Sequence, residues 1–243
     1  MTAESRPAFY AFAPGGWRDY ATLLHPPYTV WHLSYVVIGA GLAPHLDVGR
    51  LIVALAAFFL AVGIGAHALD ELNGRPLRTR IPGRLLVGLA ATSIGGAVAL
   101  GVYASIAYTP WLAPVVAVGA FIVCAYNLEW FGGAFHSDAW FALAWGSFPL
   151  LAAYLAEAER VSGEALLAGV FAGLLSLAQR RLSTRVRTVR RRVVSVSGSI
   201  ELRDGGREPV TAETLIAAPE GALRALTLAV AALAAALLVL RLG

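Results

Sequence analysis

Seven continuous apolar runs, at about 28–44, 51–69, 85–104, 111–127, 139–156, 164–179 and 222–240, dominate the sequence. Each is close to the roughly 17–25 residues with which an α-helix crosses about 30 Å of hydrocarbon. In that solvent the backbone must satisfy its own hydrogen bonds, which leaves only helices and closed barrels. A barrel needs short stretches of alternating polarity, and these runs do not alternate. The expectation is therefore an all-α, multi-pass transmembrane bundle of about seven helices. Composition excludes an ordinary water-soluble globule, because 58% of residues are AVILMFWYC and only 14% are charged, against about a quarter charged in soluble domains.

The charges that remain are placed unevenly. All 19 basic residues are arginine, so Schiff-base chemistry on lysine is excluded. With the N-terminus inside, the inner segments carry Arg6 and Arg18, then Arg75, Arg78, Arg80 and Arg84, then the series from Arg180 to Arg207. The outer segments carry only Arg50, Arg160 and Arg241. This asymmetry predicts a cell-membrane protein with a cytoplasmic N-terminus and an external C-terminus. It also accounts for the net charge of +4 without nucleic acid. Residues 1–27 lack the pattern of a cleaved signal peptide and read as a cytoplasmic or interfacial segment, with Trp17, Tyr20, Leu23 and Leu24 dipping into lipid. The lone Cys124 cannot form an internal disulfide and reads as packing.

Residues 28–192 would form six membrane helices and residues 220–243 a seventh. The segment 193–219 between them differs in composition. Residues 193–197 and 199–202 are strand-like, Asp204-Gly205-Gly206 supplies a turn, and Thr211 can begin a short helix. A cytoplasmic hairpin followed by a helix is expected. One reading makes this insertion a flap over a site at the inner mouth, and the other makes it a peripheral hairpin that docks a partner or only bridges two helices.

The richest chemistry lies between His67 and Pro82. On a continuing helix His67, Asp70 and Glu71 fall at i, i+3 and i+4 and share one face. Acids at the hydrocarbon edge are costly unless they meet a cation, water or a partner. Asp70 and Glu71 could hold a hard divalent ion that bridges phosphate oxygens, or they could pair with nearby arginines.

The residues from Trp31 to Ala43, Gly65-Ala-His67-Ala-Leu-Asp70, the pairs Arg75-Pro76 and Arg78-Thr79, and the stretch Phe141-Ala-Leu-Ala-Trp145-Gly146-Ser-Phe148-Pro149 resemble the UbiA-type intramembrane prenyltransferases over roughly residues 26–180. The resemblance implies a UbiA-like helical bundle, an isoprenyl diphosphate donor and Mg2+. Asp70 would retain one acid of the family's first aspartate-rich motif, while His67 stands where its partner aspartate would fall. The second aspartate-rich motif is missing, and the run Gln179–Arg187 stands in its place without an acid. The family's tyrosine signature after the fourth helix is reduced to Tyr126-Asn127. His67, Asp70 and Glu71 are then the expected catalytic group, with Asp70 and Glu71 as metal ligands. Arg75, Arg78, Tyr126, Asn127, Arg181 and Arg185 are expected to bind substrate.

The arginine run from Arg180 to Arg192 exceeds what orientation needs. Its guanidinium forks match phosphates bidentately and could hold a diphosphate directly, with Arg181 and Arg185 nearest the membrane. Otherwise it is a polybasic segment on anionic lipid headgroups. Glu129, His136 and Asp138 fall at the same end and could add acidity or merely be solvated. His32 reads as a neutral imidazole bonded to a neighbouring helix. Gly39, Gly169 and Gly173 permit close helix approach, and Pro149 predicts a kink near Trp145-Gly146. Two functions follow: prenyl transfer from an isoprenyl diphosphate to an acceptor, or noncatalytic lipid binding and scaffolding on the same bundle. A transporter is disfavoured because no charged pair stands at mid-membrane.

Overall fold

The computed structural model describes residues 6–243, and the first five residues of the segment 1–27 lie outside the described residues. All seven apolar runs are helical. After the short α1 (Trp17–Leu23) come α2 (Pro26–Leu42), α3 (Val48–Leu72), α4 (Gly83–Ala107), α5 (Leu112–Asn127), α6 (Asp138–Ala158), α7 (Gly163–Arg192) and α8 (Ala212–Leu242). Five of them, α3, α4, α6, α7 and α8, are long and apolar enough to cross a membrane. The other two, α2 and α5, are shorter at 17 and 16 residues. The outward faces of the long helices are apolar: Ile106 on α4 is 82% exposed, and Val239 on α8 is 73% exposed. Exposed apolar surface on this scale suits lipid rather than water.

The expected boundaries shift at two places. Helix α7 continues past residue 179 to Arg192, so its last turns carry the arginine run. The short helix expected at Thr211 and the seventh apolar run are one helix, which passes through Pro219. Thr211 does cap it, accepting from Thr214 N at 3.2 Å while Thr214 Oγ1 accepts from Thr211 N.

Helix α2 is the central post, packed against α8, α6 and α3. Its contact with α6 depends on Gly39, where an added Cβ would lie 2.1 Å from the Leu150 carbonyl oxygen. Without a hydrophobic force between helices in lipid, such backbone approach supplies the packing. Trp31, Tyr35, Leu150 and Ala153 fill the core around this contact. Leu23, expected in lipid, is instead buried in a second core with Leu69, Ile122, Tyr126 and Trp145, while Trp17 and Tyr20 stay exposed.

Two helices contain π-helical stretches, Phe59–Ala66 in α3 and Ala142–Ser147 in α6. The second has a chemical cause. Pro149 has no N–H to give the carbonyl four residues earlier, that of Trp145. His32 Nδ1 meets that freed oxygen at 2.8 Å from α2. The kink expected near Trp145 is therefore a π-bulge closed by a histidine.

Residues 193–197 form no strand. The hairpin is confined to β1 (Ser199–Glu201) and β2 (Arg207–Pro209), antiparallel with Ile200 opposite Glu208.

Candidate functional site

The arginine-rich end of the bundle holds a cavity with about 1000 Å³ of empty space, counting the part open to solvent. Its walls come from α2, α3, α5, α6 and α7 and from residues 7–10 of the N-terminal segment. His67, Asp70, Tyr126 and Asn127 all line it, as do His32 and His136.

Glu71 does not. Its side chain is fully buried, and both carboxylate oxygens are committed to the loop after α3. Leu77 N donates to Oε2 at 2.9 Å, while Thr79 N and Thr79 Oγ1 donate to Oε1, each at 2.8 Å. The expected shared face of His67, Asp70 and Glu71 is thus divided: one helical step turns Glu71 away from the cavity and into the loop. Arg75 serves the same loop, donating to Ile81 O at 2.6 Å, and lies outside the cavity lining. Arg78 is exposed at a left-handed φ of 56° and also lies outside the lining.

The arginine run divides by helical face. Ser183, Arg187 and Arg191, at successive turns, line the cavity together with Gln179 and Arg180. Leu182, Val186 and Val189 pack with Ile216 and Leu223 of α8, where Arg190 and Glu220 form a two-pronged ion pair at 2.5 and 3.0 Å. Arg181 and Arg185 are exposed and outside the lining. Nearness to the membrane selected them in the sequence, but a rotation of about 100° per residue carries them off the cavity face. The polar stripe Ser176, Gln179, Ser183, Arg187 was the available signal, since polar residues on a membrane helix turn towards the protein.

Arg180 is already engaged. Its Nε donates to Asp138 Oδ1 at 2.6 Å, its NH1 bonds the Tyr126 hydroxyl, and its guanidinium lies 5.0 Å from the Phe141 ring centre. Arg187 and Arg191 have no carboxylate partner among the described residues.

The histidines are oriented by carbonyls. His67 N–H bonds Ile64 O, which leaves Gly63 O for the His67 ring Nδ1 at 3.1 Å. A carbonyl only accepts, so the hydrogens of His67 and His32 sit on Nδ1 and their Nε2 lone pairs remain for other partners. The His25 ring stacks on His67 with centres 4.1 Å apart, and its Nδ1 is 2.7 Å from the Tyr10 hydroxyl. Burial, and next the neighbouring His67, holds the His25 pKa well below the usual histidine range. Burial likewise pushes the Tyr10 hydroxyl well above its usual range. His25 Nε2 and Gln179 Oε1 are buried without a partner among the described residues, and both residues line the cavity. Buried polar atoms of this kind require a ligand or water to complete them.

A second cavity, with about 750 Å³ of empty space, lies between α3, α4, α5 and α6, with an almost wholly apolar lining. The two share no lining residue and open on different faces of α3 and α6. Ala61 faces the apolar cavity and Val62 the polar one, and Trp145 and Phe148 divide in the same way.

A two-carboxylate magnesium clamp does not fit these residues. Among the described residues Asp70 is the one acid lining the polar cavity, Glu71 is bound into the loop, and no group of three or more His, Cys, Asp or Glu is placed to hold a metal ion. Comparison with protein-family models, curated proteins and solved structures found no match to this chain.

Proposed function

We propose that this chain is a UbiA-like intramembrane prenyltransferase, which moves an isoprenyl group from an isoprenyl diphosphate to an acceptor. The observation that carries the reading is the pair of cavities lined by neighbouring residues of α3 and α6, one rich in arginine, histidine and tyrosine, the other apolar. Together they match an amphiphile with an anionic head and a long hydrocarbon tail. The arginine asymmetry assigns the polar mouth to the cytoplasmic side of the cell membrane.

In this reading the C–O bond of the donor breaks and its electron pair leaves on the diphosphate. Cationic groups aimed at that oxygen stabilise the departing charge. The allylic carbon, electron-poor as the bond lengthens, meets the ring faces of Tyr126 and Trp145, which stand edge-to-face at 5.5 Å. Residues 7–10 exclude water, which would otherwise capture that carbon. The new bond forms to the acceptor, whose proton passes to a lone-pair nitrogen such as His67 Nε2. The Mg2+ that the family resemblance implies takes no part in these steps.

The second reading, a noncatalytic lipid-binding protein, is favoured by one observation, the single carboxylate that the described residues place on the cavity wall. The test is purified protein incubated with isoprenyl diphosphates and candidate aromatic or hydroxyl acceptors, reading diphosphate release. Release that is lost in His67→Asn supports transfer. Tight donor binding without release assigns the noncatalytic reading.

A further inference from the structure

Resting on the donor reading above, we infer that Arg187 and Arg191 hold the diphosphate end of the lipid directly, so that headgroup binding needs no divalent cation. The two residues sit one helical turn apart on the cavity face of α7. Like charges at that spacing repel, and Arg191 is partly buried while Arg187 is exposed at the cavity mouth. Arg190 on the same helix has Glu220, and Arg180 has Asp138. Arg187 and Arg191 have no such partner among the described residues, and the groups they donate to are neutral: Thr184 Oγ1 at 3.1 Å and the Pro7 carbonyl at 3.2 Å.

Among the described residues, the arginines and acids lining the cavity are Arg180, Arg187, Arg191 and Asp70. With Arg180 neutralised by Asp138, two guanidiniums face one carboxylate. A divalent cation entering there would add charge of the sign already in excess. A diphosphate supplies the opposite sign, and its oxygens accept paired N–H bonds from the planar forks. The unpartnered His25 Nε2 and Gln179 Oε1 show independently that the cavity is built around a polar occupant.

The experiment uses the full chain in phosphatidylcholine nanodiscs and farnesyl S-thiolodiphosphate, a donor analogue that resists cleavage, titrated calorimetrically in EDTA and in Mg2+. The expected result is affinity equal within about twofold in the two buffers. Arg187→Gln and Arg191→Gln should each weaken it by about tenfold or more, the size of a lost charge-assisted hydrogen bond. Arg187→Lys, which keeps charge but loses the fork, should fall between, and Arg185→Gln on the exposed face should bind as wild type. Thermal unfolding of each variant separates lost contact from lost fold. Binding that requires Mg2+ and disappears in Asp70→Asn overturns the inference and leaves the donor reading standing. No binding in either buffer overturns both. Equal displacement of the probe by phosphatidic acid makes the occupant a phosphate-bearing membrane lipid, and overturns the diphosphate assignment.

Discussion

Two non-membrane segments sit near the arginine-rich end of the bundle, and they differ in what they contribute. The hairpin Ser199–Pro209 has regular hydrogen bonding, yet both strands are exposed and none of its residues lines the cavity. Its cross-strand pair, Arg207 with Glu201 at 2.6 Å, is 72% and 70% exposed, a setting in which ion pairs contribute little. Residues 6–16 form no helix or strand, yet residues 7–10 form part of the cavity wall. The ties of this N-terminal segment are specific: Arg191 Nε donates to Pro7 O, Arg224 lies 4.9 Å from the centre of the Phe9 ring, and Ala8 and Ala11 pack on Leu77. Asp19 accepts from Gly15 N and from Arg80 N, each at 2.9 Å, joining the segment to the loop after α3. Of the two readings of the insertion, the flap finds no residue of 193–219 on the cavity wall, whereas residues 7–10 do line it. Regularity of the backbone and attachment to the core are separate properties, and only attachment builds a site.

The sharpest way to break this contrast is through the loop that the N-terminal segment rests on. Glu71→Gln leaves the N–H groups of Leu77 and Thr79 facing an amide, and should cost about 3 kcal/mol of stability, since bonds to a charged acceptor contribute about 1.5–3 kcal/mol. Thermal unfolding in detergent reads this, and an unchanged midpoint would remove Glu71 from the structural role. Replacing residues 7–10 with Gly-Ser-Gly-Ser should lower farnesyl S-thiolodiphosphate affinity about tenfold, or about 1.4 kcal/mol, with faster hydrogen exchange at Tyr28 and Tyr126. Unaltered affinity and exchange would show that the segment does not cover the site.

Titration sharpens the same attachment. The folded pKa of His25 lies well below the ordinary value, so the unfolded chain binds the proton first as pH falls. Stability is constant above about pH 6.5 and declines below it, by up to about 1.4 kcal/mol per pH unit until the folded pKa is reached. His25→Asn, which tolerates the left-handed φ of 45° at this position, should flatten that slope. A slope equal to wild type would assign the acid lability elsewhere. The smallest effect is expected at the hairpin. A Gly/Ser loop in place of residues 199–209 should change stability by no more than about 0.5 kcal/mol, as for exposed sites generally, and should leave ligand affinity unaltered. A tenfold affinity loss would restore the insertion as the cover.

What the residues alone determined is the helical architecture and the end of the bundle that carries polar chemistry. Seven apolar runs become helices, because hydrocarbon-length segments without alternation have one way to satisfy their backbone. His67, Asp70, Tyr126 and Asn127 reach one cavity, and Pro149 does disturb the helix around Trp145. Those are local properties, set by period and by covalent chemistry. Which neighbour each polar group meets was decided only by the tertiary structure. Glu71 and Asp70 are adjacent in sequence, but one is spent on a loop whose donors arrive from Leu77 and Thr79 and the other faces open space. Arg181 and Arg187 lie in the same run, but α8 covers one face of α7 and so fixes which arginines turn to the cavity. The Trp145 carbonyl freed by a proline finds His32 from a helix 113 residues away in sequence. Helical period constrains which face a residue occupies, while the identity of the opposing element comes from packing of the whole bundle.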